Sequence, residues 1–407
     1  MPPKVLFLDQ TAQLGGAELC LKDMVLVRKD AYQAADRVVL LQHGPLEDLL
    51  RSAGIDTVVY GFSKSSQSIR KDGGLLKKVG SSFDVLQLAR AVAREAADMD
   101  VIYPNTPKAL IVGAMAGWLA GKPVVYHLHD MLTVEHFSWS NLVLMVQTAN
   151  RLVRHVIANS QSSADAFRAA GGTTPMTICY NGFRRDVFDD HSHNHSMHRK
   201  MIRDSIGLPI QTTGQPLVMV FGRYAPWKGQ HVAIEALRNL PGVHLALVGD
   251  ALFGEGDYKS QLITMAADPK LQSRVHFLGF RDDVPALMQA ADVVVHCSVA
   301  PEPFGRVIVE AMLSKRPVIA SSAGGALEIV QDRVNGFTAT PGDAPDLANR
   351  IREVFELPVA HREQIIAAAY QSALDRFELK AVVEKVNETL RLVVSGQESV
   401  VSRQWED

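Results

Sequence analysis

A chain of 407 residues is longer than one ordinary hydrophobic core supports, so two domains are expected. Its 47% hydrophobic and 21% charged residues are those of a folded globular protein. With Lys+Arg 42 against Asp+Glu 44, a formal charge of -2, it lacks the global basic footprint of a nucleic-acid-binding protein.

The N-terminal part alternates β-rich runs with helical segments. The runs are "VLFLD" (5–9), "RVVLLQ" (37–42), "VIYPN" (101–105), "VVYHLH" (124–129) and "HVIANS" (155–160). Such alternation predicts a parallel sheet covered on both faces. The opening "MPPKVLFLDQ" has no signal-peptide core, because Asp9 breaks its apolar run. The window "ALIVGAMAGWLAG" (109–121) is shorter than the ~20 residues a spanning helix needs, which predicts a buried helix. The segment 136–156 reads as a buried helix, with a membrane-resting helix as the other reading. The cysteines, Cys20, Cys179 and Cys297, show no CxxC spacing, which fits a reducing compartment.

A second series of strands begins near residue 216: "PLVMVFG", "VHLALVG", "VHFLGF", "DVVVHCS" and "RPVIAS". Between the series lies the polar "DDHSHNHSMHRK" (189–200), whose histidines read as a solvated linker in preference to a metal site. The expected division is a first domain over 1–188, a connection over 189–214 and a second domain over 215–377. An amphipathic C-terminal helix, about 378–407, is expected to pack back on the first domain.

Four stretches carry candidate chemistry. In "PEPFGRVIVEAM" (301–312) a helix over 304–314 puts Phe304, Val307, Ile308, Ala311 and Met312 on a core face, with Arg306, Glu310 and Ser314 as a polar stripe. An Arg306–Glu310 pair would contribute only ~0.2–0.5 kcal/mol, in the poorer order, with the cation at the unfavourable end of the helix dipole. A basic residue beside free backbone N–H groups suits an anion, and Gly305 permits close approach. Glu302 and Glu310 are too far apart along a helix, about 12 Å, for a glycosidase carboxylate pair. In "VFGRYAPWKGQH" (220–231), Arg223 and Lys228 at a strand-to-helix junction could grip a diphosphate, or be ordinary solvated cations. Gly15 and Gly16 follow the first strand in a phosphate-approach geometry, without GxGxxG or a P-loop; an ordinary turn is the competing reading. In "VVYHLHD", His127 and His129 share one side of a strand, and His129 with Asp130 at its end is the better site candidate.

These motifs, in order "GGAE", "HD", "ANS", "YNG", "GR…KG", "VGD" and "EPFGRVIVEAM", resemble family 4 (group 1) glycosyltransferases over about residues 5–340. The resemblance implies an α/β protein of the GT-B fold, two Rossmann-like doubly wound domains facing across a cleft. It implies a retaining transferase, moving a sugar from a nucleoside-diphosphate sugar to an acceptor hydroxyl in polysaccharide or glycolipid biosynthesis. Arg223 and Lys228 would hold the diphosphate, and Glu310 the ribose. Glu302 with the backbone of Phe304, Gly305, Arg306 and Val307 would contact sugar and phosphates. Gly15 and Gly16 would approach the diphosphate, and His129 the sugar; His129 and Glu302 are the catalytic candidates.

No cofactor or metal is expected beyond the donor, a UDP-sugar in preference to a GDP-sugar, and "DMD" (98–100) matches a metal motif by letters only. The acceptor would be a saccharide, a lipid-linked sugar or a small molecule, with no nucleic acid, in the cytoplasm or at the inner face of the membrane. The polar, basic stretch 61–82 is a candidate acceptor loop. Two departures from the family pattern stand out: Phe183-Arg184-Arg185 after "YNG", and "ALFGEGDY" after "VGD". The alternatives are an inactive nucleotide-sugar-binding or scaffold protein and a GT-B epimerase.

Overall fold

The computed structural model describes residues 2–61, 81–188, 195–207, 214–252, 254–271 and 273–397. Residues 62–80 and 189–194 lie outside them, as do the side chains of 195–198, so most of the candidate stretch 61–82 and the His-rich run are not described. The chain forms two compact units: Met1–Phe183 with the stretch from Leu379 onward, and Arg184–Glu378.

In the first unit β1 (Val5–Asp9), β2 (Arg37–Leu40), β3 (Asp56–Val59) and β4 (Val101–Pro104) form a parallel sheet in the order β3-β2-β1-β4. A second parallel sheet is β5 (Val125–Leu128), β6 (His155–Ala158) and β7 (Met176–Ile178). A parallel bridge between Ile102 and Val124 joins them, giving the doubly wound order 3-2-1-4-5-6-7. The strands are short apolar runs because both faces are covered. Along β1, Leu6 and Leu8 enter one core with Ile102, Tyr126 and Val156, while Val5 and Phe7 enter the other with Val38, Val101 and Val125.

The helix Leu379–Ser395 belongs to this unit. Its buried Leu379, Val383, Val386, Leu390 and Val393 recur at helical spacing and join Leu21, Met24 and Val25 of the helix Gly16–Tyr32. A polar lock sits inside this apolar contact. The fully buried Arg28 forks onto Asp36 (Nε–Oδ2 2.7 Å and Nη2–Oδ1 2.9 Å). It also donates to the Pro3 carbonyl at 2.8 Å and to Asn387 Oδ1 on the C-terminal helix. The letters "DMD" have structural partners: Asp98 lies 3.4 Å from Arg37, and Asp100 Oδ2 accepts from the Lys4 backbone N–H at 2.7 Å.

The second unit is one parallel sheet of β8 (Leu217–Phe221), β9 (His244–Val248), β10 (Val275–Gly279), β11 (Val293–His296), β12 (Val318–Ser321) and β13 (Phe337–Ala339). Its order is β10-β9-β8-β11-β12-β13, again doubly wound. The polar connecting stretch contains a helix, His195–Ser205, fastened to this unit by Arg203, which donates to the Ala290 carbonyl and to Asp292 Oδ2, both at 2.8 Å. Among the described residues, no helix is long and apolar enough to cross a membrane.

Removing one partner of a buried ion pair costs roughly 3–5 kcal/mol, because the other charge stays buried alone. Asp36→Ala is therefore expected to lower unfolding stability by that amount in urea titration. A loss under about 1 kcal/mol, the scale of an exposed pair, would contradict the role given to Arg28.

Candidate functional site

In an open parallel sheet, ligands approach the carboxyl ends of the strands where the order reverses. In the second unit that point lies between β8 and β11. Arg223 follows β8, His296 ends β11, and the loop after β11 carries Ser298 and Glu302.

Glu302 is the hub of this edge. Its Oε1 accepts from Lys228 Nζ at 2.5 Å and lies 3.0 Å from His296 Nε2, and it also accepts from the Ser298 hydroxyl. Burial alone pushes the carboxyl up, but Lys228 and His296 outweigh it and hold Glu302 well below the usual carboxylate range. Glu302 is therefore an ionised hydrogen-bond acceptor at neutral pH, unsuited to donating a proton. The hub is anchored from behind by the Gly325 backbone N–H, which donates to the Glu302 carbonyl at 2.8 Å.

Lys228 reaches Glu302 from a 3-10 turn, Pro226–Lys228, with its ammonium 4.5 Å from the Trp227 ring centroid. The next residue, Gly229, has φ +71 and caps the helix Gln230–Ala236. A Cβ there would fall 1.9 Å from the Cys297 carbonyl oxygen, so only glycine lets this turn pack on the end of β11. Arg223 lies 3.4 Å from Glu255, a residue of the divergent loop after "VGD".

The helix carrying Glu310 runs Arg306–Leu313, shorter than the expected 304–314. Gly305 is the reason: its φ of +98 is left-handed and places Phe304 and Gly305 outside the helix. Phe304, Ile308, Ala311 and Met312 are buried as expected, but Val307 is only half-buried. Ser314 is not on an open stripe: it is buried, with its hydroxyl 3.8 Å from the Met288 sulfur. The Arg306–Glu310 pair that helix-dipole reasoning disfavours does form, at 3.4 Å.

The first unit has a matching edge where its order reverses between β1 and β4. Asp9 ends β1 and is fully buried; burial raises its carboxyl to about 6 against bonds from Asn105, Thr11 and Thr106. The Asn105 amide donates to Asp9 Oδ2 at 2.8 Å and to the Ala17 carbonyl at 3.1 Å. Both amide hydrogens are thereby committed, so Asn105 Oδ1 accepts from His129 Nε2 at 3.0 Å. His127 shares that side of the sheet, its ring centroid 3.8 Å from that of His129. Burial drives His127 down to about 3, and Tyr103 holds its Nδ1 at 2.9 Å; it is a neutral core histidine. Gly15 precedes the helix Gly16–Tyr32 with φ -101, an ordinary extended conformation, so its backbone does not require glycine. The helix Trp139–Leu152 buries Leu142, Met145, Val146 and Ala149 and leaves Trp139 exposed.

Gly15, Gly16 and His129 thus sit on the first unit, and Arg223, Lys228, Glu302, Phe304, Gly305, Arg306, Val307 and Glu310 on the second. Sequence reasoning passed over Asn105, His296 and Ser298. The only local signal was a polar residue ending an apolar strand, in "VIYPN" and "VVVHCS".

The fold is GT-B, and comparison with known proteins agrees with it. The sequence model described as glycosyl transferases group 1 matches residues 209–372, and that of glycosyltransferase family 4 matches residues 46–187. HepE of Anabaena, solved in complex with UDP and glucose, is 42% identical, with 96% of this chain and 99% of that one covered and a TM-score of 0.84. The same protein has been solved in complex with UDP-glucose. The lipopolysaccharide core biosynthesis glycosyltransferase LpsE of Rhizobium meliloti is 32% identical over 169 residues, 42% of this chain and 48% of LpsE. Sulfoquinovosyl transferase SQD2 of Arabidopsis thaliana is 26% identical over 299 residues, 70% of this chain and 55% of that protein. The chain thus spans about half the length of these two curated relatives. It belongs to the group 1 glycosyltransferases, glycosyltransferase family 4.

A folded-state pKa held below the unfolded one stabilises the protein above the ordinary carboxylate value, ~4.3, and the gain is lost as pH falls through the lower, folded value. Glu302→Gln is therefore expected to lower stability at pH ~7 and to narrow its gap to the parent as pH falls below ~4. Urea titrations across that range test this. A gap that is constant or widens on acidification would contradict the assigned ionisation.

Proposed function

We propose that this chain is a retaining, metal-independent glycosyltransferase that moves a sugar from a UDP-sugar to an acceptor hydroxyl. The observation that carries this reading is the 42% identity, over nearly the whole of both chains, to a protein that holds UDP-glucose. The edge around Glu302 has the matching chemistry. Breaking the bond from the anomeric carbon to the diphosphate leaves charge on phosphate oxygens, and cations already fixed in place stabilise that charge without reorganisation. Arg223 and Lys228 take that role. An ammonium has three donors, so Lys228 can serve a phosphate while keeping its bond to Glu302.

Glu302, ionised and buried, accepts hydrogen bonds from sugar hydroxyls, and Glu310 accepts those of the ribose. Backbone groups from Phe304 to Val307, at the helix start, face the phosphates. On the first unit, Gly15 and Gly16 allow close approach of the diphosphate, and His129, oriented by Asn105, contacts the sugar. In the front-face step the acceptor oxygen bonds the anomeric carbon on the face the diphosphate leaves. The acceptor's proton passes to the departing phosphate oxygen. Configuration is retained and charge is neutralised by side chains, without a metal.

The acceptor we infer is a saccharide or lipid-linked sugar in surface polysaccharide or glycolipid assembly, in line with the role of LpsE in lipopolysaccharide core biosynthesis. The reaction would take place in the cytoplasm or at the inner face of the membrane.

UDP release from UDP-glucose, measured with EDTA present and a panel of saccharide and lipid-linked acceptors, tests the reading. Lys228→Ala should cut turnover by about 10²–10³-fold, as removal of a transition-state donor does, and Glu310→Ala should weaken UDP-glucose binding, and turnover at low UDP-glucose, by about tenfold or more, as loss of bonds to a charged group does, with both proteins folded. Undiminished turnover in both variants would overturn the site. Binding without turnover of any acceptor would favour the inactive scaffold, and product with inverted configuration would overturn the front-face step.

A further inference from the structure

The contacts of Glu302 are one-sided. Lys228 Nζ at 2.5 Å, His296 Nε2 at 3.0 Å and the Ser298 hydroxyl all meet Oε1, and none of the three meets Oε2. An ionised carboxylate only accepts, so His296 must present an N–H at Nε2. In the neutral ring Nδ1 then carries the lone pair, and Nδ1 is a buried atom with no hydrogen-bond partner. The His296 side chain is only 4% exposed. A buried polar atom left unpaired is a cost to the fold. A side chain chosen only to fill this space would not strand Nδ1, so the reason for a histidine lies at Nε2.

The surroundings hold the ring in place. His296 is the last residue of β11, in register with Ala320 of β12. A Cβ on Gly305 would come 3.7 Å from His296 Nε2, an ordinary contact distance, so the ring packs beside the start of the Arg306–Leu313 helix. Ser298 stands 3.4 Å from the same nitrogen while donating to Glu302. The three donors come from separate places in the chain: the turn after β8, the end of β11 and the loop beyond it. Together they fix both the position and the rotation of the carboxylate.

We propose that His296 is a positioning residue whose Nε2–H, with Ser298 and Lys228, saturates Oε1 of Glu302 and so turns Oε2 toward a hydroxyl of the donor's sugar. The inference rests on the reading of this edge as a UDP-sugar site. It assigns His296 to recognition of the sugar and not of the nucleotide.

Calorimetry with UDP and with UDP-glucose separates these roles, because only the second ligand carries the sugar. Glutamine can place an N–H where Nε2 lies, whereas asparagine reaches only the position of Nδ1. His296→Gln should keep the parent's UDP-glucose affinity and turnover. His296→Asn should keep UDP affinity within about twofold and lose about ten- to a hundred-fold in UDP-glucose affinity or turnover, the scale of a lost bond to a charged group. Ser298→Ala, a smaller change, should shift the same ratio in the same direction and guards against a misfolded asparagine variant. The proposal is overturned if His296→Asn and Ser298→Ala both match the parent with UDP-glucose, or if UDP affinity falls in step with UDP-glucose affinity. A parent protein that binds neither ligand would instead defeat the donor-site reading itself.

Discussion

One oxygen atom, Oε1 of Glu302, is where the functional edge of the second unit converges. A carboxylate this deeply buried is tolerable only if its charge is matched and its hydrogen bonds are made. Lys228 supplies the charge, and His296 and Ser298 supply further donors. The requirement reaches outward into the fold. Lys228 arrives only because Gly229 lets its turn sit against the carbonyl of Cys297. The Glu302 backbone is held in turn by Gly325 after β12. Three strand ends, those of β8, β11 and β12, are therefore committed to the placement of one side chain.

The first unit solves a related problem with a neutral link. Among the described residues no cation pairs with the buried Asp9, and its carboxyl is raised to about 6 by burial. Asn105 spends both amide hydrogens on Asp9 and the Ala17 carbonyl, which leaves its oxygen for His129. The same amide thus ties the end of β1, the first turn of the Gly16–Tyr32 helix and the residue after β5. Each unit places its polar cluster where strand order reverses, the one edge of a doubly wound sheet where loops diverge and leave room for a ligand.

Much of this was readable in one dimension because it is local. Apolar runs such as "VLFLD" and "DVVVHCS" announce buried parallel strands, whereas the helix after "PEPFG" starts two residues later than its pattern suggests, because the left-handed backbone of Gly305 leaves no mark on the apolar spacing. The strands β3, β7 and β13 were not anticipated; β7 and β13 have only three residues each, too few to show a period, and all three rest on pairing with neighbours. Val307 has a core-facing phase but is only half-buried, while Ile308 and Val309 beside it are fully buried. The partners of Glu302 were hidden for a deeper reason. Lys228 is 74 positions away, and the two meet only because β8 and β11 pair side by side. Asn105 and His129 likewise meet through adjacent strand ends.

The Arg306–Glu310 pair is instructive in the other direction. Dipole and order arguments disfavoured it by tenths of a kcal/mol, and such small preferences yield to geometry when two long side chains have few alternatives. The central claim is that the edge built around Glu302 and Lys228 holds a nucleotide sugar. Its most direct measurement is calorimetric titration of UDP-glucose into the metal-free protein and into Lys228→Ala. The account predicts saturable binding in the first and a loss of about tenfold or more in the second, as expected when a charge-assisted bond is removed. Equal affinity in the two proteins would contradict it.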